Sequence, residues 1–453
     1  MKPKITFYGG TGSVTGASFL FDIGSKKILV DCGLKQGSRE DELENREPFP
    51  FDPKSIDILF VTHAHADHIG RIPKLVKDGF SGKIISNPAT KSLAEIMFAD
   101  ALSIMKINAL QDQGAMFYDA SHVAKALSVW ETLPYHTKFD LGDGFSVYAK
   151  DAGHILGSTM YEFSRGDRTI VFTGDLGNSP SPLLRDTESV SGANYIVMES
   201  VYGDRNHESK DDRDANFKKI IEDTIAGNRT LLIPSFSLER TQVLLYKINN
   251  LFESGEMKSI PVFLDSPLAI KVTEIYSKIS NYFKDSVRDE IAQGDDIFDF
   301  PKLQKTARIK DSQGIVAESN PKIIIAGSGM SAGGRILSHE IMYAPDPNAT
   351  ILLVGYQSVG TIGRQLEEGV KVINIKGERV IVRAKIEKIE GFSSHKDSNG
   401  LVSFVETAGD SLEKVFVAMG EPKSGLFLVQ RLRDELGVKA VFPEEDSVHE
   451  IDI

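Results

Sequence analysis

Cysteine is almost absent. The 453 residues contain one, Cys32, so no disulfide can form within the chain and burial has to hold the fold. Long apolar runs are missing too. No stretch approaches the ~20 residues that cross a bilayer, which excludes a membrane-spanning helix. Met1-Lys2-Pro3-Lys4 lacks the apolar run of a signal peptide. We therefore expect a cytoplasmic protein with no membrane partner. Positive charge is in deficit, with 52 Lys and Arg against 64 Asp and Glu and a net charge of −12. A chain-wide basic footprint for nucleic acid is thus lacking, and any such substrate needs a local basic groove. Surplus carboxylates suit a protein that ligates cations. There is no internal repeat and no low-complexity segment.

The chain does carry alternating textures. Short apolar strands broken by glycine turns are predicted at Lys4–Tyr8, Ser18–Ile23, Lys27–Val30 and Ile56–Val61. From about Asp204, helices alternate with apolar strands, as in Asp211–Ala226, Thr230–Ile233, Leu238–Ser254, Pro261–Asp265 and Lys322–Ala326. That alternation predicts a parallel α/β unit. Strands return from Ile373. We expect residues 1–204 and 375–453 to form one domain, with residues 205–374 inserted as a second.

His63-Ala64-His65-Ala66-Asp67-His68 follows an apolar strand directly. Alternation at a strand end sends His63 and His65 the same way, and the next turn starts a helix that brings Asp67 and His68 close. Imidazoles and a carboxylate together suit zinc, manganese or iron. His154, in Gly153-His154-Ile155-Leu156-Gly157, and Asp175, in Thr173-Gly174-Asp175, each lie at a strand end, where site loops gather. Read singly, Asp175 is a turn residue as readily as a ligand. Cys32 reads as a small buried packing residue. His339 reads as a surface residue of a helix. His122, His136 and His449 show no partner pattern.

Together these residues resemble the metallo-β-lactamase superfamily signature, with Asp31 in Val30-Asp31-Cys32-Gly33 matching its first motif. Further stretches are similar to the β-CASP branch, whose members include RNA-cleaving relatives of the cleavage-and-polyadenylation endonuclease. They are Glu199-Ser200-Val201-Tyr202-Gly203-Asp204-Arg205, Ile233-Pro234-Ser235-Phe236, Gly327-Ser328-Gly329-Met330, Gly333-Gly334-Arg335, Val354-Gly355-Tyr356-Gln357 and Gly391-Phe392-Ser393-Ser394-His395. The resemblance implies an αββα sandwich with an inserted α/β domain, in the compact bacterial form without an N-terminal RNA-binding extension. It also implies a homodimer as a fitting assembly.

By the same resemblance, His63, His65 and His154 bind a first metal. Asp67 and His68 bind a second, and Asp175 bridges them. Two divalent ions, zinc by expectation with manganese or iron as alternatives, would share a hydroxide that attacks a phosphodiester. His395 would act as general acid, held by Glu199, with Asp31 and Asp67 completing the catalytic group. The glycine-rich stretch with Ser328, Gly329 and Arg335 would contact substrate, together with Ser394. As a bare sequence it is equally a tight strand-to-helix turn.

One position departs from the branch. Met419, in Ala418-Met419-Gly420-Glu421, stands where RNA-cleaving members have a metal-binding histidine. A thioether is a poor ligand for zinc or manganese, so the second site is expected to be weak. The leading expectation is a metal-dependent ribonuclease acting on single-stranded RNA. The alternatives are an RNA-binding relative with impaired catalysis, a DNA nuclease, and a small-molecule metallo-hydrolase of the same superfamily.

Overall fold

The computed structural model describes residues 2–37, 39–110, 115–358 and 360–453. The chain divides into two compact units, one of residues 1–206 and 394–453 and the other of residues 207–393.

The first unit is built on two seven-stranded sheets. In one, the antiparallel strands Val448–Glu450, Lys4–Gly9, Ser18–Asp22 and Lys27–Val30 are extended in parallel by Ile58–Val61, Lys83–Ser86 and Trp130–Thr132. In the other, the meander Lys138–Gly142, Phe145–Asp151, Thr159–Arg165 and Arg168–Phe172 is extended in parallel by Tyr195–Met198, Lys414–Val417 and Lys439–Val441. Alternating aromatic side chains fuse the inner faces. Phe21 meets Phe163 edge-on at 5.4 Å and Phe60 meets Tyr161 at 5.0 Å, all four buried. The far face of the second sheet packs on helices Ser398–Glu406 and Pro422–Leu436 through Leu401, Val405, Leu428 and Leu432. Helices Ile72–Lys77, Pro88–Leu110 and Ala120–Ser128 accompany the first sheet, with Phe98 against Trp130 at 6.2 Å. The layering is helix, sheet, sheet, helix, as the resemblance implied.

The second unit holds a six-stranded parallel sheet. Its spatial order is Leu303–Lys305, Val262–Asp265, Lys322–Ala326, Thr230–Pro234, Ala349–Val354 and Lys385–Ile389. Its central strands are buried along their whole length, which explains their unbroken apolar sequence. Helices Lys210–Ala226, Arg240–Glu253, Pro267–Lys278 and Ile336–Tyr343 alternate with them. Both boundaries lie later than expected, slightly at residue 206 and substantially at 393. The reason for the second is register: Lys385–Ile389 pairs in parallel with the Ala349–Val354 strand, Leu352 opposite Glu387, and so belongs to the inserted sheet.

Candidate metal centre

The buried strand Ile58–Val61 delivers the histidine motif to one rim of the first unit. His63 is fully buried just past its end. His65, in extended conformation, occupies the N-cap of the short helix Ala66–Ile69, which carries Asp67 and His68. The loop from Asp151 to Thr159 presents His154, and its turn requires glycine. Gly157 has φ +80°, and a Cβ there would lie 2.8 Å from the backbone nitrogen of Thr90. Asp175 follows Arg168–Phe172, and Glu199 follows Tyr195–Met198. His395 is laid beside them by backbone pairing. Gly177 bridges His395, Ser394 O accepts the Asn178 N–H at 2.8 Å, and Leu176 O accepts that of Lys396 at 2.9 Å.

Three groups of potential ligand atoms result, and Asp175 belongs to all of them: His63, His65, His154 and Asp175; Asp67, His68 and Asp175; Asp175, Glu199 and His395. In the first, His65 Nδ1 lies 3.1 Å from His63 Nε2 and 3.2 Å from His154 Nε2, while both Nε2 atoms are 3.4–3.5 Å from Asp175 Oδ2. A tetrahedral ion with bonds of ~2.0–2.1 Å would set its ligands about 3.3 Å apart. In the second, His68 Nε2 and Asp175 Oδ1 are 3.4 Å apart, and among the described residues neither buried atom has a hydrogen-bond partner. Orphaned buried atoms of this kind are costly unless something satisfies them. The donor set therefore fits divalent cations at both places.

The electrostatics agree. Burial, together with the neighbouring imidazoles, pushes His65 and His154 well below the usual histidine range, so both stay neutral. For His395 burial also acts downward, but the Glu199 carboxylate, 3.1 Å from Nδ1, outweighs it and raises the pKa to about 9. Burial raises Glu199 in turn.

The remaining expected residues separate into two sets. Asp31 is buried and accepts from Thr62 N at 2.8 Å and Thr62 Oγ1 at 2.7 Å, and it pairs with His68 Nδ1 at 2.8 Å. Ser394 contributes through its carbonyl, which lies 3.2 Å from His154 Nδ1. Ser328, Gly329 and Arg335 belong to the second unit. There Arg335 donates to Asp265 Oδ1 and Thr306 O, both at 2.6 Å, and to Ala307 O at 2.7 Å. Ser328 Oγ caps Ala332 N, and Gly329 O accepts from Gln357. His339 was expected at the surface. It is buried instead, because Asp265, on a strand far off in sequence, waits for its Nε2 at 2.7 Å. Cys32 is buried and free, as its reading required.

Met419 lies in the core between the sheets, alongside Phe19, Phe416 and Ala418, with its sulfur against Gly10. Among the described residues, the Asp67 group has no fourth histidine or carboxylate. Sequence reading missed Thr62 and Lys396. Lys396 is buried and donates to Gly177 O at 2.7 Å, pinning the segment that carries His395. Neither residue type signals a metal site by itself; only adjacence to the motifs points to them.

The chain matches three family models. They are described as metallo-beta-lactamase superfamily over residues 11–217, Beta-Casp domain over 241–366, and Zn-dependent metallo-hydrolase RNA specificity domain over 379–443. It is 34% identical over 403 residues to Ribonuclease TTHA0252 of Thermus thermophilus, covering 89% of this chain and 90% of that one. It is 28% identical over 452 residues to Transcription termination factor FttA of Methanosarcina mazei, covering 96% of this chain and 70% of that one. A crystal structure of a protein of unknown function from Enterococcus faecalis shares the fold, with a TM-score of 0.58 at 11% identity over the whole of both chains.

Proposed function

Because this chain belongs to the β-CASP branch of the metallo-β-lactamase superfamily and is a metal-dependent hydrolase, we propose that it hydrolyses phosphodiester bonds of single-stranded RNA. The observation that carries the reading is the meeting of two ligand groups at Asp175, with the Glu199–His395 pair directly beside them. RNA is favoured over DNA by the RNA specificity model matched at residues 379–443 and by the ribonuclease relative.

In this reading His63, His65, His154 and Asp175 hold one cation, and Asp67, His68 and Asp175 hold a second. When bound, divalent cations set positive charge against phosphate oxygens and make water acidic enough to attack near neutral pH. His395 supplies the proton for the leaving oxygen. Its Nδ1 faces Glu199, so the proton it transfers is on Nε2. Glu199 keeps the imidazole protonated and aimed, since its Oε1 is itself fixed by the Leu176 N–H at 2.7 Å. Asp31 and Ser394 O orient His68 and His154 so that their Nε2 lone pairs converge. The Ser328–Gly329 turn of the second unit and its Arg335 are assigned to substrate contact. Zinc is the expected ion, with manganese or iron as alternatives. A buried lone cysteine suits the cytoplasm.

A second reading rests on Met419. With three protein ligands the Asp67 group holds its cation more weakly, and a singly loaded protein would bind RNA and cut it poorly. The test is a comparison of substrates. Zinc- or manganese-loaded protein is incubated with a labelled single-stranded RNA, a DNA of the same sequence, and a lactone and a thioester as small substrates. RNA cleavage well above the rest is expected. Preferential turnover of a small ester would overturn the proposal, and tight RNA binding without cleavage would select the second reading.

A further inference from the structure

Thr62 precedes the histidine motif and is buried. Its backbone nitrogen donates to Asp31 Oδ1, and its carbonyl accepts the Thr159 N–H at 2.8 Å. Its Cβ lies against Gly174, the residue before Asp175. A Cβ at Gly174 would come within 2.6 Å of it, and Gly174 has φ +55°. One residue thus touches the segments that carry Asp31, the histidine motif and Asp175.

The hydroxyl sets the chemistry. Thr62 Oγ1 donates its single hydrogen to Asp31 Oδ2 at 2.7 Å. It can then only accept from the imidazole nitrogens beside it, His63 Nδ1 at 3.1 Å and, more distantly, His68 Nδ1 at 3.4 Å. That makes Nδ1 the protonated nitrogen of His63 and leaves Nε2 as a lone pair facing Asp175 Oδ2. Asp31 Oδ2 does the same for His68 by accepting from its Nδ1.

We propose that Thr62 is a positioning residue that locks His63 into its metal-binding tautomer by relaying the hydrogen bond from Asp31. This deepens the metal assignment of His63 and rests on it. Without the hydroxyl, His63 Nδ1–H loses its acceptor in a buried site. The proton then moves to Nε2, where Asp175 accepts it, and a cation has to displace it. Partners of this kind change metal affinity by about 10–100-fold.

The test compares wild type, Thr62→Val, which keeps the shape, and Thr62→Ser, which keeps the hydroxyl. Zinc affinity is measured on metal-free protein by competition with a chromogenic chelator, and folding by circular dichroism. Affinity about 10-fold or more lower in Thr62→Val, with Thr62→Ser close to wild type, is expected. Equal affinity in folded Thr62→Val would overturn the proposal. Should that variant not fold, imidazole nitrogen NMR of metal-free wild type decides, with His63→Asn assigning the signal. An Nδ1–H tautomer supports the relay, and Nε2–H refutes it. Wild type that binds no zinc would instead remove the metal assignment itself.

Discussion

Replacing Asp31 by asparagine separates stability from metal binding. The wild-type carboxylate is fully buried and serves three donors: Thr62 N, Thr62 Oγ1 and His68 Nδ1. Alanine would strand all three, at about 1–3 kcal/mol each. The total approaches the whole stability of a typical domain, about 5–15 kcal/mol, so Asp31→Ala is expected not to fold. Asparagine behaves differently. It tolerates φ 63°, and its carbonyl still accepts from Thr62 N. Its amide NH₂ then replaces Oδ2 and faces His68 Nδ1, which must become the acceptor. The imidazole proton shifts to Nε2, the atom that otherwise points at Asp175. Asp31→Asn should therefore lose about 1–3 kcal/mol of stability and bind the cation of the Asp67 group about 10–100-fold more weakly. Thr62 Oγ1 also loses its acceptor on residue 31 and turns its hydrogen to His63 Nδ1, so the cation of the His63 group should weaken as well. Denaturant unfolding gives the first number, and metal content after dialysis against graded chelator gives the second. A folded Asp31→Asn protein that retains wild-type metal content at every chelator level would refute the reasoning.

Three further substitutions probe other parts of the account. His395→Gln should lower kcat on RNA by about 10²–10⁴-fold with metal content intact. The acid works only while protonated, so the wild-type rate falls as pH rises through its pKa, and the variant should lack that limb; coupled metal loss would make His395 a ligand instead. Burial, partly offset by the Ser331 hydroxyl, pushes Glu340 up to about 8, while the unfolded carboxyl titrates near ~4.3. The native state thus binds more protons between those values, and stability falls as pH rises from about 4.3 to about 8. Glu340→Gln should raise Tm at pH 8 more than at pH 5, and an equal shift at both would count against a protonated Glu340. Met419→His should tighten the second cation at some cost in core packing; unchanged metal retention would show that position 419 does not face that site.

The parts of the site that were legible were those whose chemistry is local. Four candidate ligands within six residues announce themselves by type and spacing, and the strand before them fixes their direction. Asp31, His154 and Asp175 were readable only in combination, since each alone suits a turn. What stayed hidden depended on distant partners. His339 looked like a surface residue because Asp265, its hydrogen-bond partner, is 74 residues away. Thr62 drew no reading, because nothing in a hydroxyl advertises a role in setting tautomers. The structural division falls later than the expected second boundary because Lys385–Ile389 reads the same whether it joins one sheet or another; only its parallel register with Ala349–Val354 places it in the inserted sheet.

The central claim is that cations held around Asp175 drive cleavage of RNA. It is tested most directly by measuring the cleavage rate of single-stranded RNA while zinc is returned in steps to metal-free protein, with bound metal per chain recorded at each step. The expected result is no cleavage without metal and a rate that climbs as the sites fill, abolished in a His65→Ala variant. Cleavage that persists in the metal-free protein, or that survives His65→Ala at wild-type rate, would contradict the account.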